Sequence, residues 1–488
     1  MKNKKIKILK RQIQGITLIA LVVTIIVLLI LAGVAINLTV GDNGLFKRAQ
    51  NATDTWQEAS EREAIELAVA GMQISSTQGT GMTKQELENS LKEQFGDKAS
   101  VEENGDGSFL VTIGENQYYV GEDGKIIDSS NMIKISSADE LKAFRDDVNS
   151  GNTYEGKYVY LTNDITLDSS EQWEPIGYYS QDTESIRKVL ENEKNKPFSG
   201  TFDGKGHTIN NMYINTSNIV QGLFGLVING EIKNINIAEN CSINTGGNSG
   251  SVVGYMYNTG KISSCKNYAN LNYANLNQVR GGIVGSIVGS ITVSNCINYG
   301  DIQNGSGGIV GASNGTDWDE FANVQNTIIN CGNYGNITKT TDSEFLGGIV
   351  GYFKGTISNS FNSGNVTMNA NRNYTGGIVG VLNGSILNCY NTGNISGYYA
   401  VGGIIGILAK LTNNSLKNCY NVGNVEGIGD SANELVGNNE TKTELKNSYI
   451  STDSFSASDL GSAYEEDTEN INKGYPILKW QKNINNNI

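Results

Sequence analysis

The second half of the chain repeats itself at intervals of about 30 residues, and this periodicity limits the folds that the sequence can adopt. Most copies open with GGIVG or a close variant. Eight copies are recognisable, at residues 222–237, 250–271, 281–302, 307–337, 347–366, 376–395, 402–425 and 434–450. A single unit of this size cannot bury its apolar side alone, so neighbouring copies must stabilise one another. The pattern therefore predicts a stacked array.

The composition indicates how each unit turns. The chain has 59 Gly but only 3 Pro, and Gly and Asn both tolerate the left-handed backbone angles of tight corners. In the unit 376–395, the stretches GGIVG, SILNCY and NIS are short β segments, and NTGN is a turn between two of them. Three segments and three corners describe one coil of a parallel β-solenoid. We predict a mainly β fold with about eight such coils, each roughly 4.8 Å high.

Cysteine recurs at one place in the unit. The position is held by Cys265, Cys296, Cys331, Ser360, Cys389, Cys419 and Ser448. Side chains stacked in adjacent coils point the same way, whereas a disulfide needs Cβ atoms that converge to about 3.8 Å. A tetrahedral metal site likewise needs converging ligands. We expect a ladder of small core residues, with disulfides or a metal as the alternatives; Cys241 falls outside this column.

Glycine closes the GGIVG stretch in five units. These glycines are predicted to permit both the corner angle and the close approach of the next coil, and they are Gly285, Gly311, Gly351, Gly380 and Gly406.

The N-terminus has the pattern of a membrane anchor. Residues 1–15 carry six basic side chains and no acid, and residues 16–36 form a run of 21 residues without a charge. At about 1.5 Å per residue this run would span roughly 31 Å, which is enough to cross a bilayer core. The basic flank is expected to stay cytoplasmic. We predict a single-pass cell-membrane protein with its C-terminal bulk at the cell surface.

The stretch KRQIQGITLIALVVTII resembles a prepilin leader, in which a dedicated prepilin peptidase cuts after a Gly and methylates the new N-terminus. The resemblance implies cleavage after Gly15 and methylation of Ile16. The fifth mature residue of that family is usually Glu and is Ala20 here, which argues against polymerisation as a major pilin. An uncleaved membrane anchor is the alternative.

Between the anchor and the repeats, the pattern predicts a small α+β head like that of pilin-like proteins. An amphipathic helix is expected to about residue 72, and a second at 83–95 with Thr83 and Glu86 at capping-box spacing. The segments 108–114 and 117–121 are predicted to form a hairpin. A further helix is expected at 138–148, where the chain approaches the repeats.

The predicted domains follow from these patterns. They are a leader at 1–15, a transmembrane and amphipathic helix at 16–72, the head at 73–130, a region that leads into and caps the solenoid at 131–221, the repeats at 222–450, and a C-terminal cap at 451–488.

The repeats resemble GLUG repeats, which were first described beside bacterial IgA-cleaving proteases and occur in many surface proteins. The flanking stretches SGTFDGKGHTI and GYPILKW also resemble that family. Its repeats have no known catalytic residues. The zinc motif of the accompanying protease needs two His, and this sequence has only His207, which we interpret as a turn residue.

The charged residues of the repeats do not form the clusters that catalysis on a β-helix requires. β-Helical enzymes that cut polysaccharides need clustered carboxylates, and none of the acids within the repeats recurs in a column. Only Arg280 and Arg372 supply Arg between residues 222 and 426. Five acids near one long unit are weak calcium candidates, with solvated loops as the alternative: Asp317, Asp319, Glu320, Asp342 and Glu344.

These observations together predict a non-catalytic, membrane-anchored cell-surface protein with a β-solenoid stalk. Its expected role is adhesion or binding to a surface or polymer, and no cofactor is expected. Its expected partners are the membrane, prepilin peptidase, pilin-like assembly machinery, and an extracellular polymer or host surface. Nucleic acid is excluded, because the net charge of −14 includes six leading positive charges and leaves −20 on the remainder. The alternatives are a minor pilin or pseudopilin of a type IV pilus or type II secretion-like apparatus, and a polysaccharide-cleaving β-helix enzyme.

Overall fold

The computed structural model describes most of the chain after residue 44. The described ranges are 45–76, 83–104, 108–121, 124–180, 189–273, 279–313, 325–340, 345–370, 374–409, 414–427, 432–438, 445–446, 448–450 and 453–482. The chain forms two compact units, within Met1–Ser129 and Ser130–Ile488. The predicted membrane helix at 16–36 lies outside the described ranges, and within them no helix combines the length and apolar character needed to cross a bilayer.

The first unit has the α+β architecture that the sequence predicted. Its elements are the helices Leu45–Ser76 and Lys84–Phe95, a 3-10 turn at Gly96–Lys98, and an antiparallel sheet of the strands Ala99–Glu103, Phe109–Ile113, Asn116–Val120 and Ile126–Asp128. The second helix begins where predicted, because the Thr83 side chain accepts a hydrogen bond from the amide of Glu86. The first helix runs to Ser76, past the predicted end.

One buried carboxylate ties the first helix to its sheet. Glu61 accepts hydrogen bonds from Asn116 Nδ2 at 2.8 Å and from Tyr118 Oη at 2.7 Å. Burial raises the pKa of Tyr118, and its bond to Glu61 raises it further. At the outer edge, Arg62 Nη1 lies 2.8 Å from Asp128 Oδ2. The unit is therefore held by polar contacts as well as by its small apolar core.

The second unit is a parallel β-solenoid of about nine turns, which confirms the predicted mainly β solenoid but with one turn more than the eight expected. Its strands build three long sheets, named here faces 1, 2 and 3. Face 1 contains Met132–Ile135, Tyr158–Leu161, Thr201–Asp203, Phe224–Ile228, Glu231–Lys233, Val253–Ser263, Val284–Ser294, Val310–Ser313, Asn326–Ile329, Val350–Ser358, Val379–Leu387, Ile405–Leu408, Ser415–Lys417, Val436–Asn438 and Leu445–Lys446. Face 2 contains Ile165–Thr166, Thr208–Asn210, Asn236–Ile237, Lys266–Asn267, Ile297–Asn298, Gly332–Asn333, Phe361–Asn362, Tyr390–Asn391, Tyr420–Asn421 and Tyr449–Ile450. Face 3 contains Tyr213–Thr216, Ser242–Thr245, Leu271–Tyr273, Ile302–Gln303, Ile337–Lys339, Val366–Met368, Ile395–Gly397 and Val425–Gly427.

Smaller elements complete the second unit. They are the parallel strands Phe345–Gly347, Tyr374–Gly376, Ala400–Gly402 and Ala432–Asn433, the antiparallel pair Tyr464–Glu465 and Ile477–Leu478, the helices Ala138–Ser150 and Ala457–Leu460, and the 3-10 turn Ser129–Asn131.

The solenoid begins before the first recognisable repeat. Strands between Met132 and Thr216 already belong to all three faces, so the region predicted only to lead into and cap the solenoid forms its first turns. The helix Ala138–Ser150 does close the interior at this end, because Leu141, Phe144 and Val148 pack into the common core. Covering the core in this way leaves no open apolar end there.

The corners of each turn differ in one respect from the prediction. In the unit 376–395, the stretch from GGIVG to SIL is a single face 1 strand, Val379–Leu387, rather than two segments. Asn388 then turns the chain with a φ of 54°, and Tyr390–Asn391 begins face 2. Asn tolerates this left-handed angle better than other residues with a Cβ. Residues at the same corner adopt the same angle, namely Asn234, Ser264, Asn295, Asn330, Asn359 and Asn418.

Candidate functional site

The cysteine column lies inside the solenoid, where face 1 turns into face 2. Its members Cys265, Cys296, Cys331, Ser360, Cys389 and Cys419 are fully buried, and they occupy equivalent places in consecutive turns. Each thiol donates to the carbonyl two residues before it, at 3.2 to 3.4 Å, and the Ser360 hydroxyl does the same at 2.8 Å. The column is a set of free thiols with local hydrogen bonds.

Cys241, for which the sequence suggested no role, forms hydrogen bonds with backbone groups of an early turn. Its Sγ accepts from the Met212 amide and donates to the Ile209 carbonyl, both at 3.3 Å. All six cysteines lie in the described part of the chain, and all are free.

We expect these thiols to be inert towards a water-soluble disulfide reagent in the native chain. Burial raises the pKa of Cys241 to about 11 and also raises the pKa of Cys265 and Cys389, which disfavours the reactive thiolate. Titration with Ellman's reagent, without reductant, should show no fast reaction before unfolding and six thiols in guanidinium chloride. Fewer than six after unfolding would mean that disulfides replace the free column.

The five predicted glycines line up along face 1, but the prediction that they form corners is wrong. Gly285, Gly311, Gly351, Gly380 and Gly406 are each the second residue of a face 1 strand, and none has a positive φ. A Cβ on Gly406 would lie 2.5 Å from the carbonyl oxygen of Gly380, and one on Gly311 would lie 2.3 Å from that of Gly285. Close approach of the preceding turn therefore explains these glycines.

A buried asparagine ladder runs along face 2 and was missed by the sequence analysis. Its members stand two residues after the cysteine column, and they are Asn267, Asn298, Asn333, Asn362, Asn391 and Asn421. The Nδ2 of each of the first five members donates to the Oδ1 of the next at 2.7 to 2.8 Å, and that of Asn421 donates to Glu434 Oε2 at 3.4 Å. Each Nδ2 also donates to the backbone carbonyl two residues further on. Both amide protons are therefore used, as a buried amide requires.

Aromatic rings stack on the outer side of face 2. Tyr268, Tyr299 and Tyr334 are parallel, with ring centroids 4.8 and 5.2 Å apart. Phe361, Tyr390 and Tyr420 form a second stack, with centroids 5.3 and 4.9 Å apart. These spacings are close to the distance of about 4.8 Å between neighbouring strands, so stacking in register accounts for them.

The C-terminal segment 453–482 covers the second stack. Trp480 Nε1 donates to the Asn359 carbonyl at 2.8 Å, and Gln481 Nε2 donates to Tyr390 Oη at 2.6 Å. Near the end of the solenoid, Tyr464 Oη donates to the Asn418 carbonyl. The segment thus lies along the side of several turns, and its apolar residues pack with the stack.

Two buried cations lie close together inside the solenoid. The Arg280 guanidinium donates to the carbonyls of Gly246, Gly247 and Asn304, and it lies 5.7 Å from the ring of Tyr273. Lys339 is fully buried, and its Nζ is 3.0 Å from Ser306 Oγ. Burial, followed by the positive charge of Arg280, lowers the pKa of Lys339 to about 7. Neither cation has an ion pair within the described ranges.

The remaining predicted residues are placed as follows. His207 Nδ1 is 3.1 Å from Asp164 Oδ1, and the same oxygen accepts from the Thr208 amide, which fits a turn residue. The leader residues Gly15 and Ile16 lie outside the described ranges. So do the calcium candidates Asp317, Asp319, Glu320, Asp342 and Glu344. Among the residues that are described, no group of three or more His, Cys, Asp or Glu could hold a metal.

Comparison with solved structures finds two matches of low similarity. No protein-family model and no curated protein matches the chain. A solved structure from Bacteroides ovatus, provisionally assigned as an immunoglobulin A1 protease, is 20% identical with a TM-score of 0.43, over 72% of this chain and 93% of that one. A second, called IgA1 protease, is 14% identical with a TM-score of 0.36, over 78% of this chain and only 26% of that one.

Proposed function

We propose that this is a non-catalytic, membrane-anchored cell-surface protein whose solenoid serves adhesion by binding a surface or an extended polymer. The observation that carries the proposal is the solenoid itself, in which three parallel sheets stack in register around one continuous core. Regular outer faces of this length suit contact with extended partners.

The buried side-chain columns of the solenoid are poorly suited to catalysis. The buried columns are thiols with local hydrogen bonds, amides that hydrogen-bond one another, and apolar side chains. Several acids of the repeats are exposed, among them Glu239, Asp301 and Glu426, and Asp301 and Glu426 are in register with Asn or Ser rather than with another acid. A retaining or inverting glycosidase needs two carboxylates within about 10 Å. The single His207 supplies neither a two-His zinc site nor a buried general base.

The proposal predicts binding without turnover. Purified full-length chain in mild detergent, mixed with isolated cell walls and with host cells, should co-sediment with at least one of them. Polysaccharides incubated with it should gain no reducing ends, and the heavy chain of immunoglobulin A1 should stay intact. The control is the same chain centrifuged without walls or cells, which should remain in the supernatant.

Two results would contradict this proposal. Release of sugar ends or cleavage of the heavy chain would show catalysis. Equal sedimentation of the chain with and without walls or cells would show that it does not bind them.

A minor pilin or pseudopilin is the second candidate. It is favoured by the α+β unit, whose long helix Leu45–Ser76 precedes a small antiparallel sheet. Sequencing of the membrane-extracted protein should then start at methylated Ile16, and the chain should co-purify with a filament or secretion apparatus. Lys and Arg from residues 1–15 at the N-terminus would contradict processing by prepilin peptidase.

A further inference from the structure

Two adjoining cavities open on the first turns of the solenoid. Their volumes are about 260 and 200 Å³, and both are lined by Gln172, Trp173 and Glu174. We call the combined depression the Trp173 groove; the residues that matter for its chemistry are Asp168, Trp173, Glu174, Tyr178 and Tyr213. Each cavity alone is smaller than a usual ligand pocket of roughly 300 to 1,000 Å³, but the two share three lining residues and together reach that range.

The groove presents aromatic surface to solvent. Tyr178 is 48% exposed, which is high for a large apolar side chain in this molecule, and Tyr213 is partly exposed. Trp173 is nearly buried, and its Nε1 is fixed by the Leu223 carbonyl at 3.2 Å. An exposed aromatic ring on a rigid wall is suited to stacking against a flat apolar ligand face.

The groove also contains two carboxylates, Asp168 and Glu174, that form no ion pair within the described residues, although bonds to Ser170 and then the charge of nearby Lys142 lower the pKa of Asp168. Lys142 is paired with Glu171 at 2.5 Å, and Arg145 is paired with Asp146 and lies over the Trp173 ring at 5.0 Å. Asp168 hydrogen-bonds only to Ser170, and Glu174 has no hydrogen bond or ion pair within the described residues. Both remain as hydrogen-bond acceptors for a ligand.

Strained backbone lies at the wall of the groove. Val220 lines the second cavity with a φ of 66°, a left-handed angle that a β-branched residue adopts only at a cost of about 1–3 kcal/mol. Its side chain is held in a cluster with Leu226 and Tyr255 on the outside of face 1. Backbone strain of this kind is found preferentially at ligand sites.

A peptide strand cannot extend a sheet at this wall. The amides of Trp173, Ile176, Gly177 and Tyr178 already donate within the protein, and Pro175 has no amide proton. Binding by strand addition needs a row of unpaired backbone groups, which these residues do not offer. The groove must therefore be recognised through side chains.

We infer that the Trp173 groove binds a neutral glycan chain. The apolar face of a sugar ring would stack on Tyr178, and its hydroxyls would donate to the carboxylates of Glu174 and Asp168 in charge-assisted bonds. An anionic polymer is disfavoured by those carboxylates and by the net charge of −14. The inference rests on the proposed function, since it names the site and ligand class by which the solenoid binds a polymer.

The test is binding of the full-length chain to an array of neutral and uronate-containing glycans, followed by calorimetry with the best neutral hexasaccharide. Tyr178→Ala should weaken that binding at least tenfold, and Glu174→Gln should weaken it several-fold. Tyr399→Ala is the matched control, because Tyr399 is 51% exposed but lies in a distant turn, and it should leave the affinity unchanged. Equal unfolding midpoints would show that all the variants fold.

Three outcomes would overturn the inference: no neutral glycan bound, only uronate-containing glycans bound, or equal effects of Tyr178→Ala and Tyr399→Ala. Failure here is separable from failure of the proposed function. If the Tyr178→Ala chain still co-sediments with walls or host cells as the unchanged chain does, the groove is not the site and the adhesive role stands.

Discussion

Asn362→Ala should lower the free energy of unfolding by at least about 3 kcal/mol, a large effect for one small side chain. The amide of Asn362 accepts from Asn333 Nδ2 and donates to Asn391 Oδ1, each at 2.7 Å, and it also donates to the Gly364 carbonyl at 2.7 Å. Alanine would leave three buried groups without these bonds, and each such loss costs about 1–3 kcal/mol. The midpoint of urea unfolding, followed by circular dichroism, measures the effect.

Asn365→Ala is the matched control for this prediction. Asn365 is in the same turn and also pairs with neighbouring turns, since its amide donates to Asn336 Oδ1 and its own Oδ1 accepts from the Asn394 amide. It is exposed, however, so water can replace the lost bonds and the cost should be about 1 kcal/mol or less. Equal losses in the two variants would show that burial of the ladder is not what makes it stabilising.

The solenoid could be predicted from the sequence, but the asparagine ladder inside it could not. The repeat length and the alternation of apolar residues predicted a parallel solenoid, since only stacking buries so many short apolar segments. The N-x-G pattern was interpreted as a turn, and the turn exists. The Asn side chain at such a turn can point outward or into the core. Its direction depends on the backbone angles of the preceding corner, which are set by the left-handed residue three positions earlier, such as Asn388 before Asn391.

The first turns were harder to predict for a different reason. They lack the GGIVG stretch, and their strands, such as Thr201–Asp203 and Thr208–Asn210, are short. What places them in the solenoid is register with the next turn, for example Phe202 with Ile232. Likewise, the segment 453–482 covers Tyr390 and Tyr420 through long-range contacts that leave no periodic signal in the sequence. The Trp173 groove lies among these irregular turns, so its residues could not be grouped in advance.

Lys339→Met should change how stability depends on pH. The unfolded chain keeps the ordinary lysine pKa near 10.4, whereas in the folded chain burial, followed by repulsion from Arg280, lowers the pKa of Lys339 to about 7. Between about pH 7 and 10 the unfolded state therefore binds a proton that the folded state does not. This residue makes the folded state gain stability as the pH rises, by up to about 1.4 kcal/mol per pH unit, and contributes no slope below pH 7.

Methionine at position 339 removes that titration and suits the site, because Lys339 is in register with buried Met368 of the next turn. We expect the variant to be more stable than the unchanged chain at pH 7, and the difference to shrink as the pH approaches 10. Urea midpoints at several pH values, with reductant present, measure this difference. Lys417→Met, at an exposed position of face 1, should leave the pH profile unchanged. A constant difference between the Lys339→Met and unchanged chains from pH 7 to 10 would mean that Lys339 stays charged inside the solenoid.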